Sequence, residues 1–241
     1  TGAYTLYVTV QDGSFLSATT NIRVIERALL AQMSQIVVPV GGSVSASFTV
    51  EGTSPKSILI RGAGPALATF GVPNVLPNPR LTLFDATGAQ LALNDDWGSS
   101  PSAIATATAS VGALPFANGS NDAAILSSLP PGTYTAVLDG NGGGGTSQLQ
   151  IYDADTNINP RVVMLTTRAR VGTNSFPVAG FTVTGTGTKK ILIRVLGQAL
   201  GYNADGVLND PMLTVYDSSN VELGFNDDWT NQSFPVVTSI N

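Results

Sequence analysis

One short polar motif, which occurs twice, contains the residues best suited to chemistry. Its members are Asn94, Asp95, Asp96 and Trp97 in the first copy and Asn226, Asp227, Asp228 and Trp229 in the second. Carboxylate and amide oxygens suit Ca²⁺, which takes about six to eight such ligands. Each motif supplies three, so other loops, including Asp85 and Asp122, would have to contribute. The motifs are therefore candidate calcium sites. The alternative is a structural loop whose side chains bond backbone N–H groups around a tryptophan anchor.

The residue types exclude the commonest catalytic sets. The sequence contains neither His nor Cys, which excludes Ser-His-Asp and Cys-His catalysis and zinc sites built on those ligands. Glycoside hydrolysis needs two facing carboxylates, whereas Asp95 and Asp96 are neighbours that point to opposite faces of an extended strand. The GAGPAL segment, residues 62–67, lacks the third glycine of a dinucleotide-binding loop. We therefore expect no enzyme and no cofactor, with Ca²⁺ as the one metal that the motifs favour.

A lysine precedes the same apolar strand in both halves of the chain. Lys56 stands before ILI at residues 58–60, and Lys189 before ILI at residues 191–193. An internal Lys–Asn isopeptide crosslink would require such a lysine to be buried beside an Asn and a catalytic acid. Lysine at the start of a strand is usually exposed. We therefore expect both lysines to be exposed and no crosslink to form.

These pairs belong to a long internal repeat. LTLFDATGAQLALNDDW, which begins at Leu81, returns as LTVYDSSNVELGFNDDW, which begins at Leu213, with eight identical residues among 17. KSILIR at Lys56 returns as KKILIR at Lys189. The offset of 132 or 133 positions sets the size of the repeating unit. A unit of that length can bury a core of its own.

Apolar and polar residues alternate with a period of two in both halves, as in VSASFTV at residues 44–50. This pattern is typical of strands with one dry and one wet face. Asp85 and Asp217 begin equivalent hairpin turns in which Gly88 and Asn220 tolerate a positive φ. The sequence thus predicts an all-β protein of tandem antiparallel β-sandwich modules, of jelly-roll or immunoglobulin-like type, each about 130 residues long.

The repeat predicts three segments. Residues 1–26 match the C-terminal hairpin of a preceding module, residues 27–158 a complete module, and residues 159–241 an incomplete second copy. Phe48 and Phe181 should then occupy equivalent core positions. The second copy stops before its own GTYTAVLDG strand. We therefore expect either a piece of a longer secreted protein or a subunit whose N-terminal hairpin is a donated strand pair that completes the second copy of a neighbouring chain.

Composition limits the partners. The net charge is −5 and the 11 Lys and Arg residues are scattered, whereas nucleic-acid binding needs clustered cations. No apolar run approaches the roughly 20 residues of a membrane-spanning helix. The lack of Cys fits a protein that folds after export without an oxidation step. We expect no nucleic-acid partner and no membrane span.

Two blocks of sequence carry a resemblance to a known family. LTLFDATGAQLALNDDW, followed by DAAILSSLPPGTYTAVLDG at residues 122–140, resembles bacterial pre-peptidase C-terminal-like domains. The resemblance covers residues 81–155 and, again, residues 213–229. It implies tandem β-sandwich modules of large secreted bacterial surface proteins, which are non-catalytic; some bind Ca²⁺ and some bind polymers. The matching positions for Ca²⁺ in this chain are Asn94, Asp95 and Asp96.

Two functions fit these observations. The first is a structural repeat module of an extracellular bacterial surface protein, fibre or filament, secreted or held at the cell surface. Its partners would be copies of itself or neighbouring modules of the same chain. The second is a glycan- or protein-binding accessory module of a secreted adhesin or enzyme, which exposed aromatic residues would mark. The Tyr and Trp residues here mostly fit core or hairpin positions, which favours the first.

Overall fold

The structure, a computed structural model, is an antiparallel β-sandwich. It describes residues 2–10, 16–24, 29–99, 101–155, 159–171, 177–183, 191–200 and 208–228. The first ten strands are β1 (Gly2–Val10), β2 (Leu16–Val24), β3 (Leu29–Val38), β4 (Ser43–Glu51), β5 (Lys56–Ala63), β6 (Arg80–Asp85), β7 (Gln90–Asn94), β8 (Ala123–Leu129), β9 (Gly132–Asp139) and β10 (Gly145–Asp153). The remaining strands are β11 (Arg161–Val171), β12 (Val178–Val183), β13 (Ile191–Leu196), β14 (Pro211–Asp217) and β15 (Glu222–Asn226).

In the described residues, helix is confined to short segments between strands. These are α1 (Pro65–Ala68), α2 (Pro101–Ser110) and two 3-10 turns, Trp97–Ser99 and Gln198–Leu200. Pro65 suits the first turn of a helix, and the alanine-rich residues 102–110 suit a short helix, in agreement with α1 and α2. Neither helix of the described chain has the length and apolar character needed to span a bilayer.

The strands form two sheets, which confirms the predicted all-β sandwich. The order in one sheet is β15-β14-β1-β12-β3-β10-β5-β8, and in the other β13-β2-β11-β4-β9-β6-β7. Each sheet contains strands from all three predicted segments, so neither sheet is confined to one of them. The boundaries of the predicted modules stay predictions.

The core lies between the sheets and follows the predicted alternation. In β4, every second side chain is buried, and Phe48 is fully buried. These side chains pack in one cluster with residues of the opposite sheet, including Ile58 and Ile60 of β5. Phe181 belongs to the same cluster and is 3% exposed. The prediction that both phenylalanines lie in the core is therefore confirmed.

Two strand pairs that join the halves of the chain have matching registers. β4 lies beside β11 and β12 lies beside β3. Phe48 is opposite Leu165, and Phe181 is opposite Gln32, so both members of one pair stand 133 positions from their counterparts. Each ladder also contains one register shift, and the two shifts fall at corresponding places.

The strand pair β1–β2 lies inside the sheets, beside strands from the end of the chain. β1 pairs with β12 and β14, and β2 pairs with β11 and β13. In the same way β9 pairs with β4 and β6, and β10 with β3 and β5. The segment was predicted to be a hairpin, but its two strands lie in opposite sheets, as β9 and β10 do. The pair β1–β2 thus occupies, relative to β11–β14, the place that β9–β10 occupies relative to β3–β6.

The predicted hairpin turns are confirmed at both copies. Asp85 Oδ1 accepts hydrogen bonds from the backbone N–H groups of Thr87 and Ala89, at 2.8 and 3.0 Å. Asp217 makes the equivalent bonds with residues 219 and 221. Gly88 has a φ of 84° and Asn220 a φ of 59°, the left-handed conformations that these turns require.

Candidate functional site

Asn94 uses both ends of its side-chain amide to fasten the end of β7. Its Oδ1 accepts a hydrogen bond from the backbone N–H of Ala124 at 2.8 Å, and its Nδ2 donates to the backbone oxygen of Asp96 at 2.9 Å. The first bond joins β7 to the start of β8, and the second closes the turn after β7. Asn94 therefore has the structural role given as the alternative to calcium binding.

The two aspartates of the first motif have different surroundings. Asp95 is half-buried, and its Oδ2 accepts a hydrogen bond from Asn141 Nδ2 at 3.3 Å. Its Oδ1 is buried and has no hydrogen-bond partner in the described part of the chain. Asp96 is exposed. Among the described residues, no cluster of three or more His, Cys, Asp or Glu is arranged to hold a metal ion. Calcium at this motif stays a prediction, for which Asp95 Oδ1 is the free ligand atom.

The second motif repeats the backbone link of the first. Asn226 Nδ2 donates to the backbone oxygen of Asp228 at 2.9 Å. Asp227 and Asp228 are exposed, and Trp229 lies outside the described residues. The calcium prediction for this copy also stays untested.

Trp97 anchors the loop to a second apolar cluster outside the main core. Its indole N–H donates to the backbone oxygen of Ala117 at 3.2 Å, and its ring meets Phe116 edge-on with centroids 6.3 Å apart. Helix α2 contributes Ile104 and Ala107 to this cluster, which lies on the outer face of β5 beside Leu59. Trp97 therefore serves packing, as the structural alternative predicted.

Asp122, proposed in sequence as a further calcium ligand, organises the GAGPAL turn. It is fully buried, and its Oδ1 accepts hydrogen bonds from the backbone N–H groups of Gly64 and Ala66, at 2.8 and 3.2 Å. Its Oδ2 accepts a bond from Ser120 Oγ at 2.7 Å. A side chain at Gly64 would collide with the backbone oxygen of Leu76. The glycine permits a close backbone crossing, so residues 62–67 form a tight bend after the strand.

A buried arginine spans the space beneath that turn. Arg61 is 2% exposed; it donates to the backbone oxygen of Leu114 at 2.6 Å, and its guanidinium lies 3.8 Å from the centre of the Phe116 ring. Burial lowers the pKa of Arg61, while Tyr152 and Asp122 oppose that effect. Burial likewise raises the pKa of Tyr152. Since the guanidinium is held by a carbonyl, an aromatic face and two polar neighbours, it fastens the loop that follows α2 to β5.

The expectation of an exposed lysine at position 56 is wrong. Lys56 is fully buried, with Nζ 2.9 Å from Asp153 Oδ1 and 2.7 Å from Asp155 Oδ1. Asp155 Oδ2 also accepts a hydrogen bond from the backbone N–H of Ser57 at 3.0 Å. The prediction failed because β8 and residues 153–155, distant in sequence, cover the start of β5. Lys189 lies outside the described residues.

Sequence reasoning also missed both aspartates of this cluster. Residues 153–160 had the polar composition of a linker, yet Asp153 is the last residue of β10 and is 3% exposed. Burial raises the pKa of Asp153 to about 6, and the nearby Lys56 opposes that rise. The available signal was the period-two alternation of β10 at Leu149 and Ile151, which places Asp153 on the same face as these two core residues.

Comparisons with protein-family models and with curated proteins found no match to this sequence. The resemblance to pre-peptidase C-terminal-like domains is therefore supported only by the residues that carry it.

Proposed function

We propose that this chain is a non-catalytic structural part of an extracellular bacterial surface protein, fibre or filament. In this proposal, repeated β-sandwich modules form its body, and subunits join head to tail by strand complementation. The position of the pair β1–β2 in the two sheets is the observation that carries the proposal.

The backbone contacts of β1 support strand complementation. Tyr4 to Tyr7 pair with β12 on one side and with β14 on the other. β2 pairs along its length with β11, where Leu16 is opposite Val171 and Arg23 is opposite Met164. β1 and β2 each lie between two strands of a sheet and can form backbone hydrogen bonds along both edges. Such hydrogen bonds are the source of affinity when a strand is added to a sheet.

The pair β1–β2 is separated from β3 by residues 25–28 alone. A strand pair joined to β3 by so short a segment can leave its own subunit and enter the same place in an identical subunit, where its contacts are unchanged. Such an exchange is heterologous, because the donor and acceptor surfaces differ. Repeated from subunit to subunit, it propagates as a filament when the contact does not close into a ring.

The polar residues described above favour a structural role over catalysis. The side chains of Asn94 and Asp122 are bonded to backbone groups. Arg61 is bonded to a carbonyl and stacked on a ring. Groups committed in this way hold loops in place, whereas catalytic groups need a position facing a substrate.

Deletion of residues 1–24 tests the proposal. Full-length protein at high concentration should form end-to-end assemblies in electron micrographs, and the shortened chain should not. Addition of a peptide of residues 1–24 should fill the place of β1 and β2 and restore the thermal stability of the shortened chain, while leaving it monomeric.

The matched control is the same peptide with Leu6→Pro. Leu6 pairs on both sides, with Ala179 and Val215, and proline in a central strand removes a ladder hydrogen bond. This peptide should not restore stability. End-to-end assembly by the shortened chain would refute complementation. Retention of the full-length protein on a polysaccharide column, without assembly, would favour the glycan-binding accessory module.

A further inference from the structure

The ion cluster of Lys56 with Asp153 and Asp155 has no part in the proposed function. The Lys56 side chain is 0% exposed, the Asp153 side chain 1%, and the Asp155 side chain 25%. One amine therefore lies between a carboxyl group that is shielded from water and another that has access to it.

The backbone fixes the three side chains relative to one another. Lys56 begins β5 and Asp153 ends β10, and these two strands are paired, with Asp153 opposite Ile58. Beyond β10, the backbone N–H of Ala154 donates to the backbone oxygen of Ser57 at 2.9 Å. The close approach of the amine and carboxyl groups is therefore built into a sheet and does not depend on flexible loops.

An ion pair in this position is costly to maintain. Removal of a charged amine and a carboxylate from water carries a desolvation penalty that their attraction offsets only in part. Condensation of the two groups removes both charges. An amine held within hydrogen-bond distance of a carboxyl group has the proximity that accelerates intramolecular reactions.

We propose that Lys56 and Asp153 condense to form an internal isopeptide bond, with Asp155 as the carrier of the transferred proton. A Lys–Asp bond differs from the Lys–Asn crosslink weighed from the sequence, because the carboxyl group takes the place of the amide. It is a covalent modification that ties the start of β5 to the end of β10.

The atoms and charges of the reaction balance. Within the pair, a proton passes from the Lys56 ammonium to the Asp153 carboxylate, which leaves a neutral amine and a neutral carboxylic acid. Lys56 Nζ then attacks Asp153 Cγ and forms the C–N bond. Asp155 accepts a proton from Nζ and delivers it to the departing hydroxyl group, so the C–O bond breaks and one water leaves. The products are an amide, a regenerated Asp155 carboxylate and water; no oxidant or cofactor is used.

The surroundings assign the two carboxyl groups to different roles. A neutral carboxylic acid is the better electrophile, and burial raises the pKa of Asp153 to about 6, which favours that form. Asp155 Oδ1 lies 2.7 Å from Nζ, within the reach of a general base, and its partial exposure gives the released water a way out.

The second half of the chain lacks the reacting acid. The register of β2 with β13, in which Arg23 is opposite Leu192, corresponds to that of β10 with β5, in which Tyr152 is opposite Leu59. The position after Arg23 is Val24, where the first half has Asp153. The position equivalent to Asp153 therefore holds no carboxyl group, although Glu26 stands where the first half has Asp155, and Lys189→Arg is a matched control.

Intact mass spectrometry of the denatured, purified protein is the first test. The mass should be lower than the sequence mass by one water molecule. Lys56→Arg should restore the full mass, and Lys189→Arg should retain the deficit. A folded wild-type protein at its full sequence mass would overturn the proposal.

Tryptic digestion then separates the crosslink from a cyclised aspartate, which also loses one water. The crosslinked protein should yield residues 28–61 joined to residues 81–161, without cleavage after Lys56. Recovery of residues 57–61 as a free peptide from protein that carries the deficit would overturn the assignment. A bond located at Asp155 would overturn the roles given to the two acids.

The variant Asp155→Asn tests the proton carrier, since it keeps the shape and both reacting groups. Condensation in freshly purified protein should slow by about 10²-fold or more. A circular dichroism spectrum like that of the wild type establishes that the variant is folded. An unchanged rate in this folded variant would remove Asp155 from the reaction.

Discussion

The ring of Phe48 stacks on the ring of Tyr134 across two paired strands, with centroids 5.5 Å apart and the planes 29° from parallel. The Tyr134 hydroxyl donates to the backbone oxygen of Pro130 at 2.6 Å. The stack therefore joins the most deeply buried part of β4 to the turn that precedes β9.

The first prediction concerns the two core phenylalanines. Phe48→Ala and Phe181→Ala should each lower the free energy of unfolding by about 3–5 kcal/mol, because each removes a buried ring and leaves a cavity. Urea unfolding measures this loss. Phe70, which is 61% exposed, is the control, and Phe70→Ala should change the unfolding free energy by less than about 0.5 kcal/mol. Equal losses at all three positions would contradict the core assignment.

The second prediction concerns the tight bend after β5. Gly64→Ala should destabilise the protein by about 1–3 kcal/mol, because the new methyl group would collide with the backbone oxygen of Leu76. Gly197→Ala should behave alike, since its methyl group would meet the backbone oxygen of Leu208. The control is Gly98→Ala, where nothing lies within 4 Å of an added Cβ. Denaturant midpoints compare the three; a neutral Gly64→Ala would show that the crossing is looser than described.

The third prediction is a dependence of stability on pH from the first hairpin turn. Hydrogen bonds from Thr87, and then from Ala89, lower the pKa of Asp85. An acid with a lowered folded pKa stabilises the fold above its unfolded pKa, about 3.9, and that contribution is lost as the pH falls through the folded value. Asp85→Asn should therefore lower the urea midpoint at pH 6 relative to the wild type, and the difference should shrink on acidification below about pH 4. The exposed Asp96→Asn is the control. A difference that grows on acidification would contradict the assignment.

The fourth prediction follows from the calcium hypothesis. Calcium in excess should raise the melting temperature and a chelator should reverse it, because a ligand of the folded state stabilises by about 2.7 kcal/mol at 100 times its dissociation constant. Asp95→Asn should abolish the effect, since it alters the carboxylate with the unpaired oxygen. The exposed Asp210→Asn should not. A melting temperature that does not change on addition of chelator would show that the first motif does not bind calcium.

Local patterns predicted the local structure well. The turns at Asp85 and Asp217 depend on an aspartate side chain that accepts hydrogen bonds from backbone N–H groups a few residues later. All the groups involved lie within one short stretch of sequence. The alternation in β4 likewise states which side chains face the core. Such features can be predicted without knowing how distant parts of the chain pack.

Features set by distant strands were not predictable in the same way. Lys56 is buried because Leu129 of β8 and the end of β10 lie beside it. The sequence around Lys56 does not predict either contact, because both neighbours are distant along the chain. The opposite-sheet placement of β1 and β2 was missed for a similar reason. The sequence predicts two strands joined by a short segment. Whether these strands lie in one sheet or in two depends on the strands that they pair with, which are almost two hundred residues away.

The position of β1 and β2 also sets an order of events during synthesis. Among the described strands, β1 pairs with β12 and β14, and β2 pairs with β11 and β13. The first of these partners, β11, begins 137 residues after β2 ends (161 − 24), and synthesis of that stretch takes on the order of ten seconds at typical rates of translation. Until then neither β1 nor β2 can pair with its described partners in its own chain, and the equivalent strands of a completed neighbouring chain can take their place.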